Sequence, residues 1–126
     1  MPAYFRIDKE HRLVLTTISG VFTLADGLAH QEKLLKDPDF APTFSQLIDF
    51  TQVTKVQVGI EEVRRLAQPS IFSSDARRAI LVNSELAFGL ARMFVVFRES
   101  SGEKGVRVFR VLDDALSWVF AGHDAG

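Results

Sequence analysis

Cysteine is absent from this sequence of 126 residues. Its absence excludes disulfide bonds, thiolate metal sites and cysteine nucleophiles together. A chain without cysteine suits a reducing compartment, so we expect a cytoplasmic protein. The first residues become charged at Arg6 and Asp8 and lack the apolar core of a secretory signal peptide.

An excess of one charge sign and long apolar runs are also missing. The formal net charge is −1, so no basic field attracts nucleic acid, and we expect no nucleic-acid partner. The longest uninterrupted apolar run is Met93–Phe97, whereas a membrane-spanning helix needs about 20 apolar residues. We therefore expect no membrane span.

Motifs that carry common chemistry are missing as well. The histidines are His11, His30 and His123, and no pair of them has metal-ligand spacing. His30 lies at the margin of a helical apolar stripe, where we expect a surface or edge position. The sequence contains neither the Gly-x-Ser-x-Gly elbow of hydrolases nor a Gly-x-Gly-x-x-Gly loop. We expect no metal, no cofactor and no enzymatic activity.

What is present is a regular alternation of strand-like and helix-like segments. Hydrophobic residues make up 47% and charged residues 25% of the chain, which predicts one globular domain over residues 1–126. The order β-β-α-β-α-β-α-β-α predicts an α/β fold with a mixed, mostly parallel sheet of about five strands and about four helices. The first two strands, Tyr4–Ile7 and Arg12–Ser19, form an antiparallel hairpin, and Gly20 is expected to end the second.

The segment from Ser84 to Phe97 predicts a helix with apolar residues on more than one side. One wide stripe should pack on the sheet: Leu86, Leu90, Met93, Phe94 and Phe97. A second patch could bind a protein partner or another copy of the chain, giving a homodimer: Phe88, Ala91, Arg92 and Val95. The alternative is that Phe88 and Val95 pack against a neighbouring helix.

Polar side chains gather where the predicted parallel strands end. Ligands of open parallel sheets bind beyond this edge, so it is a candidate site for a ligand or partner, formed by Asp49, Thr51, Asn83 and Ser84. Asp49 interrupts an apolar strand. It is either a base with a pKa raised by burial or a carboxylate bonded to nearby backbone or to Thr51.

The remaining charged segments predict solvated surfaces. Arg64-Arg65 and Arg77-Arg78 are basic pairs without interleaved aromatic residues, so they do not indicate a nucleic-acid site. The segment 100–105, Ser-Ser-Gly-Glu-Lys-Gly, predicts an exposed turn.

Several stretches resemble the SpoIIAA-like family, which has the STAS fold. The resemblance extends over nearly the whole chain, through the segments 15–20, 37–40, 47–51, 77–80, 88–94, 108–110 and 115–118. It implies a single-domain STAS/SpoIIAA-like fold. In true anti-sigma-factor antagonists a phosphorylatable serine begins the helix after the strand matching 47–53. The corresponding segment here, Val56–Ile60, has no hydroxyl group, so no serine switch is expected there.

The resemblance implies a module that works by binding. One hypothesis is a STAS-like protein-interaction or regulatory module. The alternative is a protein that binds a small apolar or lipid-like ligand, because the family is grouped with Sec14-type lipid-binding domains and the chain has 11 phenylalanines. An enzyme that uses Asp49 is a third hypothesis.

Overall fold

The computed structural model describes residues 3–68 and 70–124, with side chains as far as residue 121. Five strands and four helices follow one another in the predicted order. The strands are β1 Ala3–Asp8, β2 Leu13–Thr23, β3 Ser45–Gln57, β4 Arg78–Leu81 and β5 Val106–Phe109. The helices are α1 Leu24–Lys36, α2 Ile60–Leu66, α3 Glu85–Ser100 and α4 Leu112–Asp124.

The sheet confirms the predicted α/β class. Its strand order is β1-β2-β3-β4-β5. β1 and β2 form the antiparallel hairpin, and the other neighbours are parallel. Each parallel pair is joined through a helix, as such connections require.

The prediction that Gly20 ends the second strand is wrong. β2 continues to Thr23 and pairs with β3 as far as Gln57, with register shifts on either side of Gly20. The backbone of Gly20 has φ +68, a conformation that glycine adopts without steric cost. The glycine thus allows an irregularity inside a long strand pair rather than a stop.

The two faces of the sheet pack against different helices. Residues such as Leu47, Ala79 and Leu81 face α4 and form a core with Ala115 and Val119. Ile80 of β4, and Val82 directly after this strand, face α3. Farther along this second face, Phe22 and Ile18 of β2 pack with Leu66 of α2, and Val14 packs with Leu34 of α1.

The stripe predicted to pack α3 on the sheet is correct only in part. Phe94 packs against two core clusters, but Leu86 is 61% exposed, and the buried residues of this helix are Ala87, Ala91 and Arg98. Their spacing of four and seven residues defines one helical face. Alanine on that face lets the helix lie close to the sheet, and larger residues occupy the sides of the contact.

Candidate functional site

A cavity lies between the sheet and helices α1, α2 and α3. Its volume is about 130 Å³, and no residue that lines it is exposed. Most of the wall is aliphatic or aromatic, with contributions from Phe22, Phe50, Val63, Leu66, Ile80 and Phe94. Such walls with a few polar groups are typical of small-molecule sites.

One end of the cavity is polar, because β2 and β3 place hydrogen-bonding side chains on this face. The Nε2 atom of Gln46 donates to Thr16 Oγ1 at 3.0 Å. Thr16 Oγ1 in turn lies 3.0 Å from Nε2 of His30 in α1. All three side chains are buried and line the cavity.

Two arginines continue this arrangement towards α3. Arg78 donates from Nε to Gln46 Oε1 at 3.1 Å and from Nη1 to Glu103 Oε1 at 3.0 Å. Arg98 donates from Nε to the other Glu103 oxygen at 2.5 Å and from Nη1 to the backbone carbonyl of Ala67. We call the connected side chains the buried polar network: Thr16, His30, Gln46, Arg78, Arg98 and Glu103.

The network joins elements that are distant in sequence. It runs from α1 across β2, β3 and β4 to the turn before β5, and then to α3 and the end of α2. Arg78 also lies over two aromatic rings, 4.4 Å from the Phe72 centroid and 5.6 Å from that of Phe94. Such contacts help to hold a guanidinium in an apolar environment.

Burial keeps His30 neutral. Desolvation, with smaller contributions from the positive charges of Arg78 and Lys33, lowers the pKa of His30 from 6.5 to about 4. Its ring lies edge-on to Phe5, with centroids 5.5 Å apart. The expectation that His30 occupies the surface or an edge is therefore wrong, since only 9% of the residue is exposed.

Two further surface predictions are corrected by the same network. Arg78 was expected on a solvated face, yet burial is deep enough to lower its pKa, although the neighbouring Glu103 acts in the opposite direction. Glu103, expected in an exposed turn, is 1% exposed. Ser101 and Gly102 of that turn are exposed as predicted.

The structure brings the predicted strand-end residues together. Thr51 donates from its backbone N and from Oγ1 to Asp49 Oδ1, at 2.8 and 2.6 Å. Asn83 Nδ2 donates to the carbonyl of Thr51 at 3.2 Å. Ser84 Oγ accepts from the backbone N of Ala87 at 3.1 Å and caps α3. The polar groups of this edge thus bond largely to one another or to nearby backbone.

The four residues predicted as a partner interface on α3 differ in burial. Ala91 is buried in the core. Phe88 and Val95 are partly buried and pack against the cluster that contains Ile80 and Val82, which belongs to the sheet side and not to the neighbouring helix that the alternative named. Arg92 is exposed. Binding of a partner through these residues stays a prediction.

Sequence reasoning missed the buried polar network. The sequence does hold one sign of it, namely polar residues at inward positions of apolar strands. Thr16 lies between Leu15 and the buried Ile18, and Arg78 directly precedes the buried Ala79 and Ile80. Arg98 lies seven residues after Ala91, on the same face of α3. No pattern linked the strand positions to Glu103 in its turn.

Among the side chains of residues 3–68 and 70–121, no group of three or more histidine, aspartate or glutamate residues is placed to hold a metal ion. Over the same ranges, no helix combines the length and the hydropathy needed to cross a membrane.

No protein-family model matches the sequence, and no curated protein matches it. A solved structure does match: an uncharacterized protein of the DUF3478 family with a SpoIIAA-like fold, from Shewanella loihica PV-4. The two share 19% sequence identity with a TM-score of 0.58, over 93% of this chain and 91% of the other. A likeness at this identity concerns the fold alone, and it confirms the fold that the sequence resemblance implied. The chain has a SpoIIAA-like fold.

Proposed function

We propose that this protein binds a small, mainly apolar molecule in the cavity between the sheet and α1–α3. The observation that carries the proposal is a cavity of about 130 Å³ with apolar walls and one polar end. An apolar cavity of ~150 Å³ in another protein stays dry and takes up benzene. The cavity here accordingly suits a single ring or a short chain.

The polar end distinguishes this cavity from a packing defect. Buried polar groups are costly unless they are hydrogen-bonded, and a core of apolar residues avoids that cost. Here Gln46, Arg78 and Arg98 occupy positions beside open volume, where they can contact a ligand. A ligand with an apolar body and one polar end would match both parts of the wall.

Titration with toluene, followed by backbone amide chemical shifts, tests the proposal. We expect shifts at residues around the cavity, such as Val63 and Ile80, and none at α4. The variant Ala87→Leu adds volume from a residue that lines the cavity and should abolish those shifts. Ala25→Leu, on the exposed side of α1, is the matched control. A folded wild-type protein without shifts at millimolar toluene contradicts the proposal.

A second candidate function, self-association at the strand-end edge, is favoured by exposed apolar side chains. Leu86, Val111 and Leu112 are exposed there. Arg110 lies 3.1 Å from Glu85 and 4.1 Å from the Phe88 ring centroid. A patch with both charge signs can bind the same patch of a second copy around a two-fold axis. We therefore infer that this edge forms a homodimer.

Light scattering, which measures the mass of the particle in solution, tests this second function. Wild type should have twice the monomer mass at high concentration, and Leu86→Glu should restore the monomer. Val96→Glu, an exposed position on the same helix, is the control that should remain dimeric. A monomeric wild type rejects the dimer and leaves the cavity proposal untouched.

A further inference from the structure

The buried polar network carries an imbalance of charge. It contains two guanidinium groups, Arg78 and Arg98, and one carboxylate, Glu103. His30 adds no charge near neutral pH, because its pKa is about 4. Glu103 raises the pKa of Arg78 and the positive charge of Arg98 lowers it, in addition to the larger effect of burial. One positive charge inside the protein is thus left without a carboxylate, which is costly in a medium of low dielectric.

The arrangement of the three groups directs this charge towards the cavity. Arg78 and Arg98 line the cavity, whereas Glu103 does not. The carboxylate therefore lies behind the guanidiniums as seen from the open volume. A molecule in the cavity meets the two positive groups without meeting the negative one.

Each guanidinium also keeps a nitrogen for a ligand. Arg78 and Arg98 use Nε and Nη1 in the bonds described above, and Nη2 of each has no acceptor among the described residues. No fully buried side-chain nitrogen or oxygen of those residues lacks a partner, so both Nη2 atoms reach open space. The two residues are only 6% exposed, and the open space that both line is the cavity.

From these observations we propose that the natural ligand is a small carboxylic acid in its ionised form. Its carboxylate group lies at Arg78 and Arg98, and its apolar body packs against the apolar wall of the cavity. The inference rests on the proposed binding function and specifies the ligand class. A carboxylate supplies the missing negative charge, and its two oxygens match the planar donors of guanidinium groups. The volume limits the apolar part to about one six-membered ring or a short alkyl chain.

Benzoate and benzamide test the ligand class, because they have the same shape and differ in charge. Calorimetric titration of the wild-type protein at pH 7 should give benzoate at least tenfold tighter binding than benzamide, since a hydrogen bond to a charged group contributes more than a neutral one. Equal affinities, or tighter binding of benzamide, overturn the carboxylate inference while the cavity proposal stands. If toluene, benzamide and benzoate all fail to bind, the cavity proposal itself fails.

The position of the carboxylate is tested separately by the arginine side-chain signals. Benzoate should shift the Nε–Hε resonances of Arg78 and Arg98, and benzamide should shift them less. Arg98→Lys keeps the charge but loses the planar fork, so the preference for benzoate should fall several-fold. Arg92→Lys, an exposed substitution on the same helix, should leave it unchanged. Benzoate that binds without shifting either arginine signal places the anion elsewhere and overturns the assignment.

Discussion

The two faces of the sheet are built from alternate residues of the same strands, and they differ in what they bury. The α4 face buries a continuous apolar cluster that includes Leu13, Leu47 and Val119. The face towards α1–α3 contains the cavity and the buried polar network. If the proposed function holds, the two faces divide their roles: one supplies tight packing and the other keeps space and charge for a ligand.

Arg77 and Arg78 show the difference within two consecutive residues. Arg77 lies on the α4 side, where Nη1 donates to the carbonyl of Trp118 at 2.8 Å and the guanidinium lies 5.0 Å from the indole centroid. Arg78 lies on the other side, where it is buried and bonded within the network. The pleat of a strand turns neighbouring side chains to opposite faces, so one basic pair serves two environments.

The largest expected effect comes from removing the carboxylate that holds the two buried arginines. Glu103→Gln should lower the free energy of unfolding by about 3–5 kcal/mol, because breaking a buried ion pair leaves uncompensated charge. Urea denaturation measures the loss. Glu32→Gln, which breaks an exposed pair with Lys36, should cost much less, because solvent screens exposed pairs. If the two variants lose similar amounts of free energy of unfolding, the buried polar network is not important for stability.

Lowering the pH should lower the free energy of unfolding, because His30 is buried in the same face of the sheet. The unfolded histidine takes up a proton near pH 6.5 and the buried ring only near 4, so the unfolded state binds more protons between these values. Stability that is fully present above pH 6.5 is therefore lost as the pH falls towards 4, by about 3 kcal/mol.

Denaturation at pH 7 and at pH 4.5 measures this effect, with His30→Gln as the comparison. The variant should lose much less stability over that interval. His11 contributes in the opposite direction, because its hydrogen bond to Asp8 raises the pKa of His11. An equal pH dependence in wild type and His30→Gln contradicts the role of the buried ring.

A smaller effect should follow from moving the turn that holds Glu103. A Cβ atom at Gly105 would lie 2.0 Å from the carbonyl oxygen of Ala76, so Gly105→Ala must displace backbone and should cost about 1–3 kcal/mol. Gly89→Ala on α3 meets nothing within 4 Å and should stabilise the protein by up to about 1 kcal/mol. Thermal denaturation compares the two, and a stable Gly105→Ala would show that the turn is free to move.

The smallest effect is expected on the α4 face. Arg77→Gln removes the hydrogen bond to the Trp118 carbonyl and the contact with its ring, which together should cost about 1 kcal/mol. The loss should be the same at pH 7 and pH 4.5, unlike that at His30. Chemical denaturation gives both values. A cost comparable to that of Glu103→Gln would remove the contrast between the two faces.

The sequence was sufficient for the fold because its signals are local. Strand-like and helix-like segments alternate, and Asn83 and Ser84 follow the parallel strand β4, which pairs with β3 just before Thr51, so their meeting follows from topology. The prediction at Gly20 was wrong because glycine both ends strands and permits irregularities within them.

The candidate site was harder to predict because it depends on packing. Ala87 and Ala91 face the sheet although larger apolar residues surround them, since close approach of a helix favours small side chains. Counting apolar residues around α3 therefore assigned Leu86 to the buried face, although it is exposed. The network depends on contacts of Arg98 and Glu103, which lie on separate elements. The cavity is a space between side chains, and no sequence pattern predicts such a space.

The position of α2 beside the cavity has a consequence for the timing of binding. Val63 and Leu66 of α2 line the cavity, so the order of this helix affects the wall that a ligand meets. α2 has seven residues, too few for a helix to be stable alone, and its last turn is held by Arg98. A ligand that binds Arg98 should therefore also change the mobility of α2, and this change affects how long the ligand stays.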